Sequence, residues 1–505
     1  MTAATATALA ARDDVVMRKG RYTLLTSATP QAAVAEDLLA LGAALDDAGI
    51  GFLLVRRDDA RFVIAVDRAE RRRLSAALAE AFVDEPFYVR GPGGEPALVS
   101  EGGFDAAPEA RAFRVFRPRT TATGRVRYGA ASGVRLELWE FGVDEIVAPS
   151  SNSLMRRTLP RSEAVEATVD LLGREWRTLD GMFATHASDI DFEIDIVFSW
   201  VDGSSTEYQR QRAEQMKTYV VGDGDDSEAR YRQIDELKYA LRSVYMYAPW
   251  IRRIFIATDS PAPSWLAEHP RVTIVRSEEF FDDPEALPTH NSHAVESQLH
   301  KIEGLSEHFL YSNDDMFFGR AVSPGMFFSP GGITKFIEAT TRIGLGDADA
   351  RRSGHDNAAR VNRAVLHSRF GRITTRHLEH TATPLRRSVM RQMEQEFPDD
   401  FARTARSRFR SATDISVTNS FYHYYALMSG KAVTQERAKV VYVETTLKRA
   451  SGQMKEIART RGYDFFCLND GSKPEISVEE RTRDVTRFLD DYFPVAAPWE
   501  VTPER

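Results

Sequence analysis

Three apolar segments of this 505-residue chain run directly into carboxylates. Ile194–Val201 ends in Asp202-Gly203, Arg253–Thr258 in Asp259, and His308–Tyr311 in Asn313-Asp314-Asp315. Strands that deliver carboxylates to one sheet edge suit a cation or a polyhydroxyl ligand. Aspartate at a strand end is also ordinary turn chemistry, so the adjacent pair Asp314-Asp315 is the stronger signal. Like charges that close repel unless a metal or a strong donor offsets them. A second group lies on helical patterns. Arg232, Asp235, Glu236 and Arg242 interrupt a helix predicted over Tyr231–Tyr247, as ligand contacts or as a solvated ion-paired face. Asn291 or Ser292 caps a helix over Ser292–Ile302 that holds His293, Glu296 and His300. Glu296 and His300 are four apart and share a face. With no third ligand on that helix, hydrogen bonding is the preferred reading over metal ligation. Further along, His380 follows Glu379 in a polar stretch that no core would demand, and Arg410 closes the alternation Arg406, Arg408, Arg410. A histidine can serve as a base near neutral pH, and an arginine fork can clamp phosphate. A structural histidine and a solvated basic run are the plainer alternatives.

The elements that must position these residues are α/β in character. Ile194–Val201, Arg253–Thr258, Val272–Val275 and His308–Tyr311 are strand-like runs alternating with the two helices, a pattern that predicts a largely parallel sheet. In the predicted helix over Tyr231–Tyr247, Ile234, Leu237, Leu241 and Val244 repeat at spacings of three and four, and Pro249 follows. Helices are also predicted over Arg386–Phe397 and Asp414–Met428. Residues 1–190 form an accessory α/β domain with no catalytic signature: a helix over Ala32–Ala48, strands Phe52–Val55 and Arg61–Val66 around an Asp58-Asp59 turn, a helix over Glu70–Phe82, a Gly/Pro-rich loop over Arg90–Gly103 and a strand over Val134–Phe141. Residues 191–505 form a second domain, the one that carries the candidate catalytic chemistry.

Composition narrows the partners. Lys and Arg number 66 against 74 Asp and Glu, a net charge of −8 that gives no global attraction for nucleic acid. The one cysteine, Cys467, excludes an intrachain disulfide and a cysteine-built zinc site. No signal peptide is recognisable in the Ala/Thr-rich start, and no apolar run approaches the ~20 residues of a membrane helix. The expected protein is soluble and cytoplasmic, with peripheral association at the inner face of a membrane left open.

These residues fall into blocks that resemble the Stealth family of hexose-1-phosphate transferases, which includes bacterial capsule polymerases and the animal lysosomal-enzyme GlcNAc-1-phosphotransferase. The first block is Ile194 to Gly203. The second runs from Arg230-Tyr231-Arg232 through Asp235-Glu236-Leu237, Leu241-Arg242-Ser243, Asn291-Ser292, Glu296-Ser297 and His300 to Asn313-Asp314-Asp315 and Phe318-Gly319. The third holds Asn362, Phe370-Gly371, His380, Pro384-Leu385-Arg386, Arg410 and Asp414, and the last is Phe466 to Asp470. Thr383 departs from the pattern, standing where a second histidine often follows the first.

The resemblance implies a GT-A-like nucleotide-sugar fold. It also implies transfer of a sugar-1-phosphate from a UDP-sugar, typically UDP-GlcNAc, to a hydroxyl of an acceptor glycan, with UMP released. Carried over residue by residue, it makes His380 and Arg410 a catalytic pair, with Asp315 beside them. Asp202, Gly203, Arg232, Asp235, Glu236, Arg242, Asn291, Glu296, His300 and Asn362 would then line the donor pocket. A divalent cation, Mg²⁺ or Mn²⁺, would sit near Asp314 and Asp315, with Asn469 or Asp470. Two rivals use the same residues: a GT-A glycosyltransferase that releases UDP, and an inactive glycan- or nucleotide-binding protein. The spacing of Asn313-Asp314-Asp315 is not the Asp-x-Asp of the first, and retention of His380 and Arg410 argues against the second.

Overall fold

The computed structural model describes residues 3–57, 61–203, 205, 209–210, 234–349, 351–471 and 473–501. Arg232, the Asp58-Asp59 turn and the first turn of the helix predicted from Tyr231 lie outside them. The chain divides into two compact units, Met1–His186 and Ala187–Arg505.

In the first unit, helix α1 (Pro30–Asp47) is capped by the Thr29 hydroxyl. Strands β1 (Phe52–Arg56) and β2 (Phe62–Asp67), helix α2 (Arg71–Ala81), and strands β3 (Ala112–Phe116) and β4 (Val134–Phe141) follow. β4 pairs in parallel with β2 and antiparallel with β3. Leu38, Leu41 and Leu45 of α1 pack with Leu54, Ile64 and Leu136 of the sheet. The stretch predicted as a loop over 90–103 also carries a short strand, Ala97–Leu98, because its apolar residues pair with Tyr88 and Val89.

The second unit contains β5 (Ile194–Ser199), α3 (Glu236–Tyr247), β6 (Ile254–Ala257), β7 (Val272–Val275), α4 (Ser292–Gln298), β8 (His308–Asn313) and β9 (Met316–Phe318). After these come α5 (Gly354–Phe370), β10 (Thr383–Arg386), α6 (Tyr422–Met428), β11 (Val440–Glu444), β12 (Phe465–Asn469) and α7 (Val478–Tyr492). The main sheet has the order β7-β6-β5-β8-β10. Its first four strands are parallel, and β10 runs antiparallel on the edge, where Pro384 costs no interior hydrogen bond. Among the four parallel strands the spatial order reverses between β5 and β8, the switch point where open α/β sheets bind ligands. A smaller sheet, β9-β12-β11, lies immediately beyond β8.

Burial on both faces explains the continuous apolar runs. Ile194, Ile196 and Phe198 of β5 pack with Leu237, Leu241 and Val244 of α3, while the alternate Val197 packs with Phe255, Phe309 and Leu385 on the opposite face. The predicted helix over Ser292–Ile302 tightens into a 3₁₀ turn at Leu299–Lys301. The helix predicted from Asp414 starts only at Val417, with a π turn over Val417–Phe421 ahead of α6.

One polar residue in β5 ties the sheet's lower edge. Asp195, fully buried, accepts from Arg252 Nε at 2.9 Å and Nη2 at 2.7 Å, and from the backbone N–H of Arg253 at 3.1 Å and Ser306 at 2.8 Å. It thereby joins β5 to the approaches of β6 and β8. Asp195→Ala leaves Arg252 and two backbone donors without their partner and is expected to cost about 3–5 kcal/mol of stability. Denaturant unfolding monitored by circular dichroism checks this, and a loss below about 1 kcal/mol would refute the assigned role.

Candidate active site

The carboxyl ends of β5 and β8 carry the site. Asp202 leaves β5 with its backbone N–H donating to Ser260 Oγ at 2.8 Å, which ties the β5 loop to that of β6. Asp259, at the end of β6, caps the short helix Ser277–Phe280 by accepting from the Ser277 N–H at 2.8 Å, so its turn role is met. At the end of β8, Asp314 and Asp315 remain partly open to solvent. Loss of hydration pushes both carboxyls up to about 7, and neighbouring negative charge adds to it: Asp315 and Asp470 act on Asp314, Glu236 and Asp470 on Asp315. Asp315 Oδ2 receives only the weak Cys467 thiol at 3.5 Å, and its buried Oδ1 has no hydrogen-bond partner. Asp470 Oδ1 accepts from the Thr445 hydroxyl and lies 3.1 Å from Arg481 Nη1. β12 places Asp470 here by pairing Cys467 with Met316, while Leu468 N–H donates to the Asp315 carbonyl at 3.0 Å. Asn469 ends the same strand, and its carbonyl accepts from the Thr445 N–H at 2.8 Å.

Asp235 and Glu236 open α3. Asp235 is exposed and takes the left-handed conformation, φ 57°, while Glu236 accepts from the Ile234 N–H at 3.0 Å and faces the Asp315 charge.

A second group centres on Glu296 of α4, 2% exposed. Its carboxylate accepts from Tyr311 at 3.2 Å, Thr418 at 2.7 Å and Asn419 at 3.3 Å. Burial pushes its pKa up, while the Thr418 hydrogen bond, the Arg410 charge and the Tyr311 and Ser292 hydroxyls pull the other way. Arg410 Nη2 donates to Ser292 Oγ at 2.9 Å, so the guanidinium is held at the cap of the helix that carries Glu296.

His380 lies in the loop before β10, its ring edge-on to Tyr442 with centroids 5.1 Å apart. His355 stacks on His377 at 5.0 Å and lies 6.3 Å from His380. Burial, and then the neighbouring His377, push the His380 pKa below the usual histidine range, so the neutral ring is the resting form near pH 7. The first turn of α5 links this group to the arginine. A Cβ on Gly354 would stand 2.8 Å from Arg410 Cβ, and the next residue is His355. The absence of a side chain at Gly354 therefore lets Arg410 and the histidines share one neighbourhood.

Four residues expected in the donor pocket have protein partners in this structure. Arg242 is spent on Glu500, at 2.7 and 2.6 Å, and on the Phe493 carbonyl at 2.9 Å. Asn362 exchanges hydrogen bonds with the Ser416 backbone and donates to Ser420 Oγ at 3.0 Å. His300 is fully buried with Nε2 2.8 Å from Glu394. Asn291 caps α4 through Oδ1 and donates through Nδ2 to the Ser407 carbonyl at 3.0 Å, the Phe409 carbonyl at 3.3 Å and Asp414 at 2.8 Å. Arg242, Asn362 and Asn291 are engaged by protein partners because these positions join elements, while His300 is held through Nε2 alone and its buried Nδ1 has no partner. Asn291 and Asp414 clamp the loop that presents Arg410. Gly203 continues the β5 loop, its N–H donating to the Val201 carbonyl at 3.0 Å. Sequence reasoning did not single out Ser292 as the Arg410 partner, Tyr311, Thr418 and Asn419 as those of Glu296, or Tyr442 as that of His380. Only Ser292, in the family pattern beside Asn291, carried a signal.

Among the described residues, no three His, Cys, Asp or Glu side chains converge as a ready metal cage. The oxygen-only donors Asp314, Asp315, Asn469 and Asp470, with one orphaned carboxylate oxygen, still fit a hard divalent cation whose remaining ligands come from phosphate and water.

A parallel sheet whose switch point bears carboxylates, with His380 and Arg410 on loops beyond it, defines the class: an α/β protein with a polar candidate site at the carboxyl ends of its strands. Comparison with known proteins gives the family. Four conserved regions of Stealth proteins match in order: region 1 at residues 192–219, region 2 at 230–336, region 3 at 379–427 and region 4 at 455–505. Exopolysaccharide phosphotransferase CpsY of Mycobacterium tuberculosis (strain H37Rv) is 58% identical over 490 residues, covering 96% of this chain and 92% of that protein. An exopolysaccharide phosphotransferase of Nocardia farcinica is 56% identical over 467 residues, covering 92% and 87%. Exopolysaccharide phosphotransferase SCO6023 of Streptomyces coelicolor is 36% identical over 475 residues, covering 90% and 80%. This chain belongs to the Stealth family.

Two tests follow from the geometry. Gly354→Ala forces its methyl against the stem of Arg410 and is expected to lower turnover about tenfold or more through that misplacement. Comparing kcat with the unfolding midpoint separates this from a folding defect; unchanged kcat would remove the close approach from the mechanism. The second concerns Asp315, whose carboxyl holds its proton more tightly folded, about 7, than unfolded, roughly 3.9. Stability contributed by this group is therefore present at low pH and lost as pH rises through 7. In chelator, Asp315→Asn should raise Tm by a few degrees at pH 8 and leave it unchanged at pH 4; an equal effect at both would show that ionisation is not the cause.

Proposed function

We propose that this chain transfers a hexose-1-phosphate from a UDP-sugar, UDP-GlcNAc in the first instance, to a hydroxyl of an acceptor glycan, forming a phosphodiester and releasing UMP. The arrangement would be a GT-A-like variant of the α/β fold, with donor phosphates over the β5–β8 switch point. The observation that carries the reading is that the start of α5 meets both groups: Gly354 lies against the Arg410 stem, and His355 lies 6.3 Å from a neutral, partly enclosed His380. The names of the relatives as exopolysaccharide phosphotransferases support it.

In this reading His380 takes the proton from the acceptor hydroxyl as its oxygen attacks the β-phosphorus. The new O–P bond forms while the bridging bond to the α-phosphate breaks, and UMP departs with the electron pair. Arg410, oriented by Ser292 and the charge of Glu296, holds the non-bridging oxygens as their charge is redistributed. A divalent cation at Asp314 and Asp315, with Asn469 or Asp470, would neutralise charge on the leaving nucleotide. Asp202, Gly203, Asp235 and Glu236 border the same edge and would order the nucleotide. Arg232 remains part of this proposal by its place in the family pattern alone. Asn291, Arg242, His300 and Asn362 belong to the same pocket by the family pattern and would serve it through the framework contacts their side chains make. Among the described residues no helix is long and apolar enough to cross a membrane.

Incubation with UDP-GlcNAc, Mg²⁺ and mixed glycans, followed by nucleotide analysis, tests the reaction. UMP is expected, with His380→Ala lowering kcat by about 10²–10⁴ at unchanged donor KM; UDP as the product would replace the proposal with sugar transfer at the anomeric carbon. The acid limb of kcat should fall below the usual histidine range, near 6.5, because protonation disables the base. His377→Ala removes a neighbouring positive charge and some burial, and should move that limb to higher pH. An unmoved limb would sever His377 from the base.

A further inference from the structure

A groove of about 610 Å³ opens beside the His380 loop, within the roughly 300–1,000 Å³ range of ligand sites. Its polar lining comprises Glu338, Arg376, Glu379, Gln435, Glu436 and Lys439, with the ring of Tyr463 as the aromatic member. Three carboxylates against two cations leave it nearly balanced in charge, which disfavours a polyphosphate or an anionic polymer. The mixture of fixed donors and acceptors around one aromatic face instead matches a neutral polyhydroxylated ligand.

The groove has a rigid wall and an open one. The Tyr424 hydroxyl lies 2.8 Å from Glu338 Oε1 and 2.9 Å from the Arg376 carbonyl, which fixes one side. On the other side Thr434 and Glu436 are exposed. Glu379 also lines the groove, partly buried and with its carboxylate accepting no hydrogen bond from the described residues. Burial alone pushes its carboxyl up. The groove also has a direction. Glu379 is the residue before His380, and groove-lining Val440 shares a face of β11 with Tyr442, against which the His380 ring packs. The same face continues to Glu444, and Tyr442 is within electrostatic reach of Asp315 and Asp470. The groove therefore approaches the carboxylate edge from the histidine side.

We propose that this groove is the acceptor subsite and takes a neutral glycan, with Glu379 as the hydrogen-bonding contact for the sugar that presents its hydroxyl to His380. The proposal rests on the phosphotransfer reading for the location of the reaction, but its test does not depend on turnover. Binding of neutral gluco- and manno-oligosaccharides to the full chain is measured by saturation-transfer NMR and calorimetry for the wild type, Glu379→Gln and Thr434→Trp, with UDP-GlcNAc affinity measured in parallel as a control of folding. Thr434→Trp fills the groove from an exposed rim position. Oligosaccharide affinity should fall about tenfold or more in both variants, as for loss of a hydrogen bond to a charged group or of the space itself, while UDP-GlcNAc affinity is retained. Oligosaccharide binding that survives both substitutions overturns the assignment, as does an absence of binding at millimolar concentrations across the panel. The identity of the nucleotide released, assayed separately, decides the phosphotransfer reading without bearing on either result.

Discussion

The parallel pairing of β5 with β8 is the constraint on which the rest of the second unit depends. Its register sets Ser199 opposite Asn313, so both strands end at the same level and discharge Asp202 and the Asp314-Asp315 pair onto one edge. That register is fixed by burial on both faces: a slip of one residue would exchange Ile196 and Phe198 with Val197 and Asp195 between the two cores. Asp195 reinforces it from below, because its four hydrogen bonds are available only in one alignment. The site's carboxylates are thus placed by side chains far from any ligand.

What the edge gains in chemistry it loses in stability. Asp315 keeps one carboxylate oxygen without a partner, and the charges around it, Glu236 and Asp470, are of the same sign. A sequence selected only for folding would place an asparagine or an apolar residue there. Glu296 contrasts with it, since three hydroxyl and amide donors surround it and its negative charge is directed at Arg410. Two carboxylates of one unit, Glu296 buried and Asp315 partly open, therefore have opposite surroundings. One is surrounded by donors and faces an arginine; the other is surrounded by charges of its own sign.

The parallel strands, α3 and α4 were legible in the sequence because their apolar periods are set by local burial, and the carboxylate edge followed from where those runs stop. The β10 edge was not legible, since Pro384 within a short run argues for a loop unless the neighbouring strand is known. The small β9-β12-β11 sheet was hidden for a related reason: its strands are three to five residues long and gain their pattern from long-range pairing. At the site, residue types and family spacing drew attention to Asn291, Asn362, Arg242 and His300, yet those signals cannot distinguish a side chain that meets a ligand from one that holds the frame. Which of their polar atoms already meet protein partners is a property that only the fold reveals. Residues 1–190 carried no catalytic signature, and the first unit's buried Asp37, held by Arg117 and Arg119, serves its own packing.

The division of labour between sheet and loops follows from these contacts. The groups that would meet the nucleotide and cation come from strand ends, whose positions are set by the most densely buried part of the unit. His380 and Arg410 come from later connections and are brought together by the first turn of α5, where Gly354 leaves room for the arginine stem and His355 approaches the histidines. The guanidinium is set by a chain of short polar contacts, from Asn291 and Asp414 through the loop backbone and from Ser292 to its own Nη2. Binding geometry is therefore robust to surface change, whereas the reacting pair depends on one small residue and a few hydrogen bonds. On the proposed assignment, the acceptor side, in the loops around Glu379 and residues 434–440, could change without disturbing the switch point over which the donor phosphates would sit. On that assignment the groove meets the site at His380, so a change in acceptor would not require a change in donor.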